Sequence, residues 1–187
     1  MQITKTLYIK TRAEWRTWLK KNYKTEKVIW LVFYNKASGK QRISYEDAVE
    51  EALCFGWIDS TVKKTDEESH VQRFTPRNLK SAYSQLNKER LKRLLRQKKV
   101  IASVRKTLDG LENEKFVLPM DIIVEIKKNK EAWKNFQKFS EAYKRIRLAF
   151  INGARKRQDI FKVRLNYFIK MTAQNKQYGI KGIEKYF

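Results

Sequence analysis

"ISYEDAVEEALCFGWIDS", residues 43–60, decides the fold class, because its period changes in the middle. Tyr45, Ala48, Val49, Ala52 and Leu53 recur at helical spacing and form one apolar stripe. Ser44 with Asp47 makes a capping-box pattern at the start of that helix. Gly56 stands where a left-handed C-terminal cap belongs. The chain then turns β-like: "WIDSTV" (57–62) and "HVQRFTP" (70–76) read as two arms of a hairpin around the polar loop "KKTDEES" (63–69). A helix running straight into a hairpin predicts α+β architecture.

The flanks fit that reading. "KTLYIKT" (5–11) is a short strand, and Thr11 caps a helix with Trp15, Trp18 and Leu19 on one face. "KVIWLVFYN" (27–35) is β-branched and aromatic on both alternating faces, as in a central, buried strand. "KASGK" (36–40) is a turn. From residue 80 onward the spacing is helical. "SAYSQLNKERLKRLLRQKKV" sets Leu91, Leu94 and Leu95 on one face, and a short helix follows near 101–109. Pro119 and Asp121 start the next helix, with Asp121 as its cap. Residues 122–139 turn Ile122, Ile126, Trp133, Phe136 and Phe139 inward. Ser140 caps a helix that Gly153 ends, and the last helix, 157–173, sets Ile160, Val163, Tyr167, Phe168 and Met171 at helical spacing. The tail "NKQYGIKGIEKYF" is weakly patterned and reads as frayed. The expected fold is α+β: a small antiparallel sheet of three to four strands with helices in the N-terminal half, then a helical C-terminal half. Residues 1–100 form the α+β core, and 101–187 pack on it as one structural unit.

Five Trp, nine Tyr and ten Phe in 187 residues supply a core, and only six Gly and two Pro argue against long linkers. The net charge is +23, divided as +6 over residues 1–87 and +17 over 88–187. Such an excess favours anionic partners, although mixed signs along nearly every helix also describe a solvated surface. The single cysteine, Cys54, excludes an intramolecular disulfide and suits a reducing compartment. The first fifteen residues show no signal-peptide pattern, and no apolar run approaches the roughly 18 residues of a membrane span. A cytoplasmic location is expected.

Several chemistries find no support. One Cys and one His cannot make a usual zinc site, and no Walker or GxGxxG loop occurs. No cofactor is expected. Cys54 reads as a buried structural thiol rather than a nucleophile, and a pairing with His70 has no sequence support. Asp59 is the unusual residue, a carboxylate in apolar surroundings. With 63–69 as the loop, Asp59 and Arg73 lie opposite each other, so an arginine fork can satisfy the acid structurally. Alternatively Trp57, Asp59, Arg73 and Arg77, with Ser84 and Asn87 from the next helix, line a polar pocket for a small anionic ligand or a protein group. The five tryptophans read as core, with Trp57 excepted because it shares the predicted face of Asp59. No paired carboxylate suggests acid–base catalysis. The basic stretch Lys88, Arg90, Lys92, Arg93, Arg96, Lys98 and Lys99 offers the other reading, nonspecific contact with nucleic acid phosphates.

"AEWRTWL", "VIWLVFYNKASGK", "SYEDAVEEALCFGWIDS", "QRFTPR" and "NKERLKRL", in that order, resemble the YdeI/OmpD-associated family, also called bacteriocin-protection proteins. "FINGARKRQDIFKVRLNYFIKM" is similar to that family's closing helices, so the likeness spans roughly residues 10–173. Tyr83 departs from the family's usual tryptophan, and Asp159-Ile160 from its usual Thr-Arg, leaving Arg164 as the nearest basic match. The resemblance implies a role in protection against bacteriocins or antimicrobial peptides and association with an outer-membrane porin. It implies no defined molecular activity.

Overall fold

The computed structural model describes residues 2–179 and 183–186. The chain forms two compact units. The first holds Met1–Ala82 with Arg90–Leu111, and the second holds Tyr83–Glu89 with Glu112–Phe187.

The first unit is built on a four-stranded mixed sheet in the order β1-β2-β4-β3. The strands are β1 (Thr6–Tyr8), β2 (Ile29–Tyr34), β3 (Trp57–Lys64) and β4 (Ser69–Pro76). The expected antiparallel pairing holds for β2 with β4 and for β4 with β3. The β1–β2 pair is parallel. Its connection carries helix α1 (Arg12–Asn22), and a crossover of this length is what parallel neighbours require. Helix α2 (Tyr45–Cys54) leads into β3 as the sequence predicts. Ser44 Oγ accepts from the Asp47 amide at 3.0 Å, and Gly56 adopts φ 73°, which a residue with a Cβ enters only with strain. Thr11 caps α1 through the Glu14 amide at 3.2 Å. Trp15, Leu19, Trp30, Leu31, Phe33, Val49, Leu53, Trp57, Val71 and Phe74 make the core.

Helix α3 (Gln85–Arg96) contributes its first turn to the second unit and its remainder, with α4 (Ala102–Lys106), to the first. The second unit continues with α5 (Met120–Lys127), α6 (Lys130–Lys138), α7 (Glu141–Asn152) and α8 (Gln158–Ala173). Ile122, Ile126, Phe136, Phe139, Tyr143, Leu148, Ile151 and Phe168 form its core.

Several local expectations change. Asp121 is not a cap: α5 starts after Pro119, and Asp121 meets Arg155 in two hydrogen bonds of 2.9 Å. The inward-facing stretch 122–139 is two helices, because Asn129 caps α6 by accepting from the Ala132 amide at 2.9 Å. The buried face of α8 is Leu165, Phe168 and Thr172, while Val163 and Tyr167 are exposed. The tail is not frayed over its described part. Tyr178 exchanges hydrogen bonds with the Tyr143 hydroxyl at 2.9 and 3.2 Å, and Ile183–Tyr186 forms a 3₁₀ turn that buries Ile183 and Tyr186. Residues 180–182 and 187 of that predicted frayed tail lie outside the described residues.

Candidate functional site

In the first unit, the hairpin register removes the expected pairing of Asp59 with Arg73. Strand β3 runs to Lys64 and β4 starts at Ser69, so the loop is shorter than 63–69. A bulge between Asp59 and Val62 then shifts the register again, and Asp59 faces Phe74 while Arg73 faces Trp30 on β2. A one-residue slip exchanges the two faces of a strand, so Asp59 joins the side of Gln72. The Tyr45 hydroxyl donates to Asp59 Oδ2 at 2.7 Å, and Gln72 Nε2 donates to the same oxygen at 3.3 Å. Gln72 Nε2 also reaches the Ser60 carbonyl at the bulge, at 3.2 Å. Burial pushes the Tyr45 hydroxyl pKa up, and the Asp59 charge adds to it. Asp59 therefore ties β3 to the start of α2.

The other proposed pocket residues disperse. Arg73 Nη1 donates to Ser60 Oγ at 3.3 Å. Arg77 folds back on its own loop, onto the carbonyls of Asn78 and Ser81. Trp57 is core after all: it is buried, its Nε1 donates to the Tyr23 carbonyl at 3.1 Å, and Trp18 packs edge-on against it. Ser84 and Asn87 belong to the second unit, where Ser84 Oγ accepts from the Asn87 amide at 3.3 Å.

The basic stretch is also partly committed. Arg90 is buried, Arg93 pairs with Glu50, and Lys88 pairs with Glu114. Arg96 Nε donates to the Lys92 carbonyl at 3.2 Å, and the Lys99 carbonyl accepts from Arg16. Lys98, at φ 55°, closes the helix and stays exposed. Less charge from this stretch is available to phosphates than the sequence suggests.

A polar network that the apolar stripe of α2 conceals lies beside these residues. Glu50 and Glu51 are buried, at 1% and 2% exposure. Arg12 reaches Asp47 at 2.6 Å, Glu50 at 3.1 Å and Glu51 at 2.6 Å; Arg16 reaches Glu51 at 2.6 Å; Arg93 completes the set at Glu50. Burial lowers the Arg12 and Arg16 pKa values, but the Glu51 hydrogen bonds and charge outweigh it and hold both above the ordinary value. The adjacent Cys54 thiol is pushed up to about 11 by burial, with the Glu51 charge adding to it. That environment is the opposite of an activated thiolate. The single histidine, His70, stacks on Phe33 with centroids 5.5 Å apart.

The second unit holds a different arrangement. A cavity of about 460 Å³ is lined by Ser84, Gln85, Leu86, Ile146, Arg147, Ala149, Phe150, Tyr178, Gly179 and Ile183. Among the described residues, Arg147, on α7, is its single charged lining residue, and it is only 5% exposed. Its guanidinium carbon lies 4.0 Å from the Tyr178 ring centroid and 4.9 Å from that of Phe150, both within cation–π range. Among the described residues no carboxylate forms an ion pair with Arg147, and its buried Nε has no hydrogen-bond partner. Burial pushes the Tyr178 hydroxyl pKa up, while the charge and hydrogen bonding of Arg147 pull against it. Gln85, on the wall, is tied to a partly buried ion pair. Gln85 Nε2 donates to Glu89 Oε1 at 2.9 Å, and Arg145 grips Glu89 with two hydrogen bonds, at 2.7 and 3.1 Å. A Cβ added at Gly179 would overlap the Ile183 side chain, so glycine at 179 allows Ile183 to approach closely.

Of the six residues predicted to bind a ligand, only Ser84 lines this cavity. The sequence does not single out Arg147, because an arginine inside "YKRIRLAF" resembles any solvated helical charge. Its place is legible only by phase, one residue from Ile146 and four from Ile151 on the buried side of α7.

Among the described residues, no group of three or more His, Cys, Asp or Glu could hold a metal ion, and no helix is long and apolar enough to cross a membrane. Residues 7–107, more than half of the chain, match a family model described as Domain of unknown function (DUF8412). Residues 115–175 match the model described as Bacteriocin-protection, YdeI or OmpD-Associated. The second match lies within the second unit, and the stretches 43–60 and 72–77 fall in the first match. No curated protein and no solved structure matches the chain.

Proposed function

This chain belongs to the DUF8412 family, a domain of unknown function, and from that premise we propose that it is a binding protein for a small anionic ligand seated at Arg147. One observation carries the reading: a buried guanidinium lines an apolar cavity with no carboxylate partner among the described residues. A buried charge without a counter-charge is costly, and an anionic ligand supplies the missing one. The cavity volume lies within the range of small-molecule sites. The start of α3 adds to the preference. Ser84 and Gln85 line the same cavity, and the N-terminal end of a helix carries partial positive charge.

The protective role implied by the second family is, on this reading, indirect. A chain of charge +23 repels cationic peptides, so protection runs through the bound anion or a protein partner rather than through capture of the peptide.

The test is a fluorescence titration with anilinonaphthalene sulfonate, an amphiphilic anion. The expected result is a saturable enhancement that Arg147→Gln abolishes while the melting temperature stays near that of the wild type. Equal enhancement in both proteins, or none in either, would sink the reading. The +23 charge supports nonspecific nucleic-acid binding as a second reading. It predicts affinity for a random duplex that collapses as salt rises, with charge reversal of Lys92 and Arg96 weakening it and Arg147→Gln leaving it unchanged.

A further inference from the structure

We infer that the ligand of the Arg147 cavity is a monocarboxylate with an apolar tail, an inference that rests on the anion-binding reading above. Three features of the site select this class over other anions.

The first is charge. Arg147 is the single ionic group among the described lining residues. A monoanion neutralises it, whereas a phosphate or sulfate dianion would leave a negative charge in an apolar cavity. The second is shape. The Tyr178 and Phe150 rings lie within cation–π range of the guanidinium, and the Tyr178 hydroxyl also hydrogen-bonds with it, but no partner reaches Nε. The unpartnered Nε–H is left for an oxygen. A carboxylate is planar and matches the edge of an arginine fork with two parallel hydrogen bonds. The third is the wall. Leu86, Ile146, Ala149, Phe150 and Ile183 present hydrocarbon to whatever is attached to the carboxylate. A small hydrated anion would leave that surface wet, while an alkyl or aryl tail covers it.

The three features together predict a dependence on tail length. Each methylene added to the tail should tighten binding about threefold to fourfold until the cavity is filled. Ala149 lies on the wall, so Ala149→Leu takes up volume there and should move the best tail to a shorter one.

The experiment displaces anilinonaphthalene sulfonate with straight-chain carboxylates from butanoate to dodecanoate, using decanol and inorganic phosphate as comparison probes. The expected result is competition that strengthens with chain length and then levels, with decanoate about 30-fold tighter than decanol and no competition from phosphate. Ala149→Leu should move the plateau to a shorter chain while leaving the preference for the carboxylate intact. Phosphate competing as well as decanoate, or decanol matching it, overturns the inference while the anion site stands. Arg147-dependent probe binding that no carboxylate displaces does the same. Probe binding indifferent to Arg147 removes the anion site itself.

Discussion

Two sites, one in each unit, handle buried charge in opposite ways. In the first, two carboxylates, Glu50 and Glu51, are deeply buried, and arginines meet both: Arg12 from α1 and Arg93 from α3 at Glu50, and Arg12 and Arg16 from α1 at Glu51. In the second, the deeply buried group at the cavity is an arginine, and its neighbours are aromatic rings. A paired buried charge fixes structure, because removing either partner strands the other. A buried charge without its counter-ion is a standing preference for a partner from outside. The second unit also contains a paired example, Glu89 with Arg145, so the contrast lies between sites and is not a property of helical packing.

The largest effect expected from this contrast is at Glu51. Glu51→Ala leaves Arg12 and Arg16 facing a buried hole and should cost about 3 kcal/mol, read as a lowered denaturant midpoint. Cys54 reports which unit opens. Its thiol is buried and pushed up to about 11, so a thiol reagent should label it slowly in the wild type and much faster in the variant. Unchanged labelling with a lowered midpoint would break the assignment of this network to the stability of the first unit. Arg147→Met should have the opposite sign. Removing a charge that lacks a carboxylate should leave stability unchanged or raise it by about 1 kcal/mol, measured by thermal unfolding. A loss of about 3 kcal/mol or more would mean that Arg147 is as structurally bound as Arg12, and the contrast would fail.

A smaller effect is expected at Asp59. Replacing it with Asn keeps an acceptor for the Tyr45 hydroxyl but removes the charge, so the loss should be about 1 kcal/mol in chemical denaturation. An unaltered midpoint would remove Asp59 from the ties that hold β3 to α2. The smallest belongs to His70. Burial, followed by the Arg42 charge, lowers its pKa below 6.5. The unfolded chain therefore takes up the proton first. Stability should be fully present above pH 6.5 and should fall as pH drops from 6.5 toward the lowered folded value. His70→Gln should flatten that slope. A slope unchanged in His70→Gln would assign the acid sensitivity elsewhere.

Much of the architecture was legible in the sequence, and the reasons are local. The Ser44 cap, the Gly56 stop, the Thr11 cap and the doubly apolar β2 are signalled within a few residues each. The parallel β1–β2 pair was not, because pairing direction is set by a crossover and not by the strand. The partners of Asp59 are hidden for a related reason. A symmetric hairpin places it opposite Arg73, and only the bulge reveals Tyr45 and Gln72 as its partners. The cavity was the least legible feature. It joins residues near 84–86 and 146–150 with Tyr178, Gly179 and Ile183 across long intervals of sequence, and the stretch around the last three carries no strong period.

Strand order has a consequence for the chain during synthesis. Strand β2, "IWLVFY", holds six uncharged residues of high β propensity and lies inside the sheet. Its neighbour β4 is translated only after α2 and β3. A growing chain therefore carries an apolar strand edge with no native cover until Pro76 has been made. Lys27 and Lys36 flank the strand as gatekeeping charges. The segment that makes the first unit cohere is thus also the one most prone to aggregate if elongation stalls before the hairpin is complete.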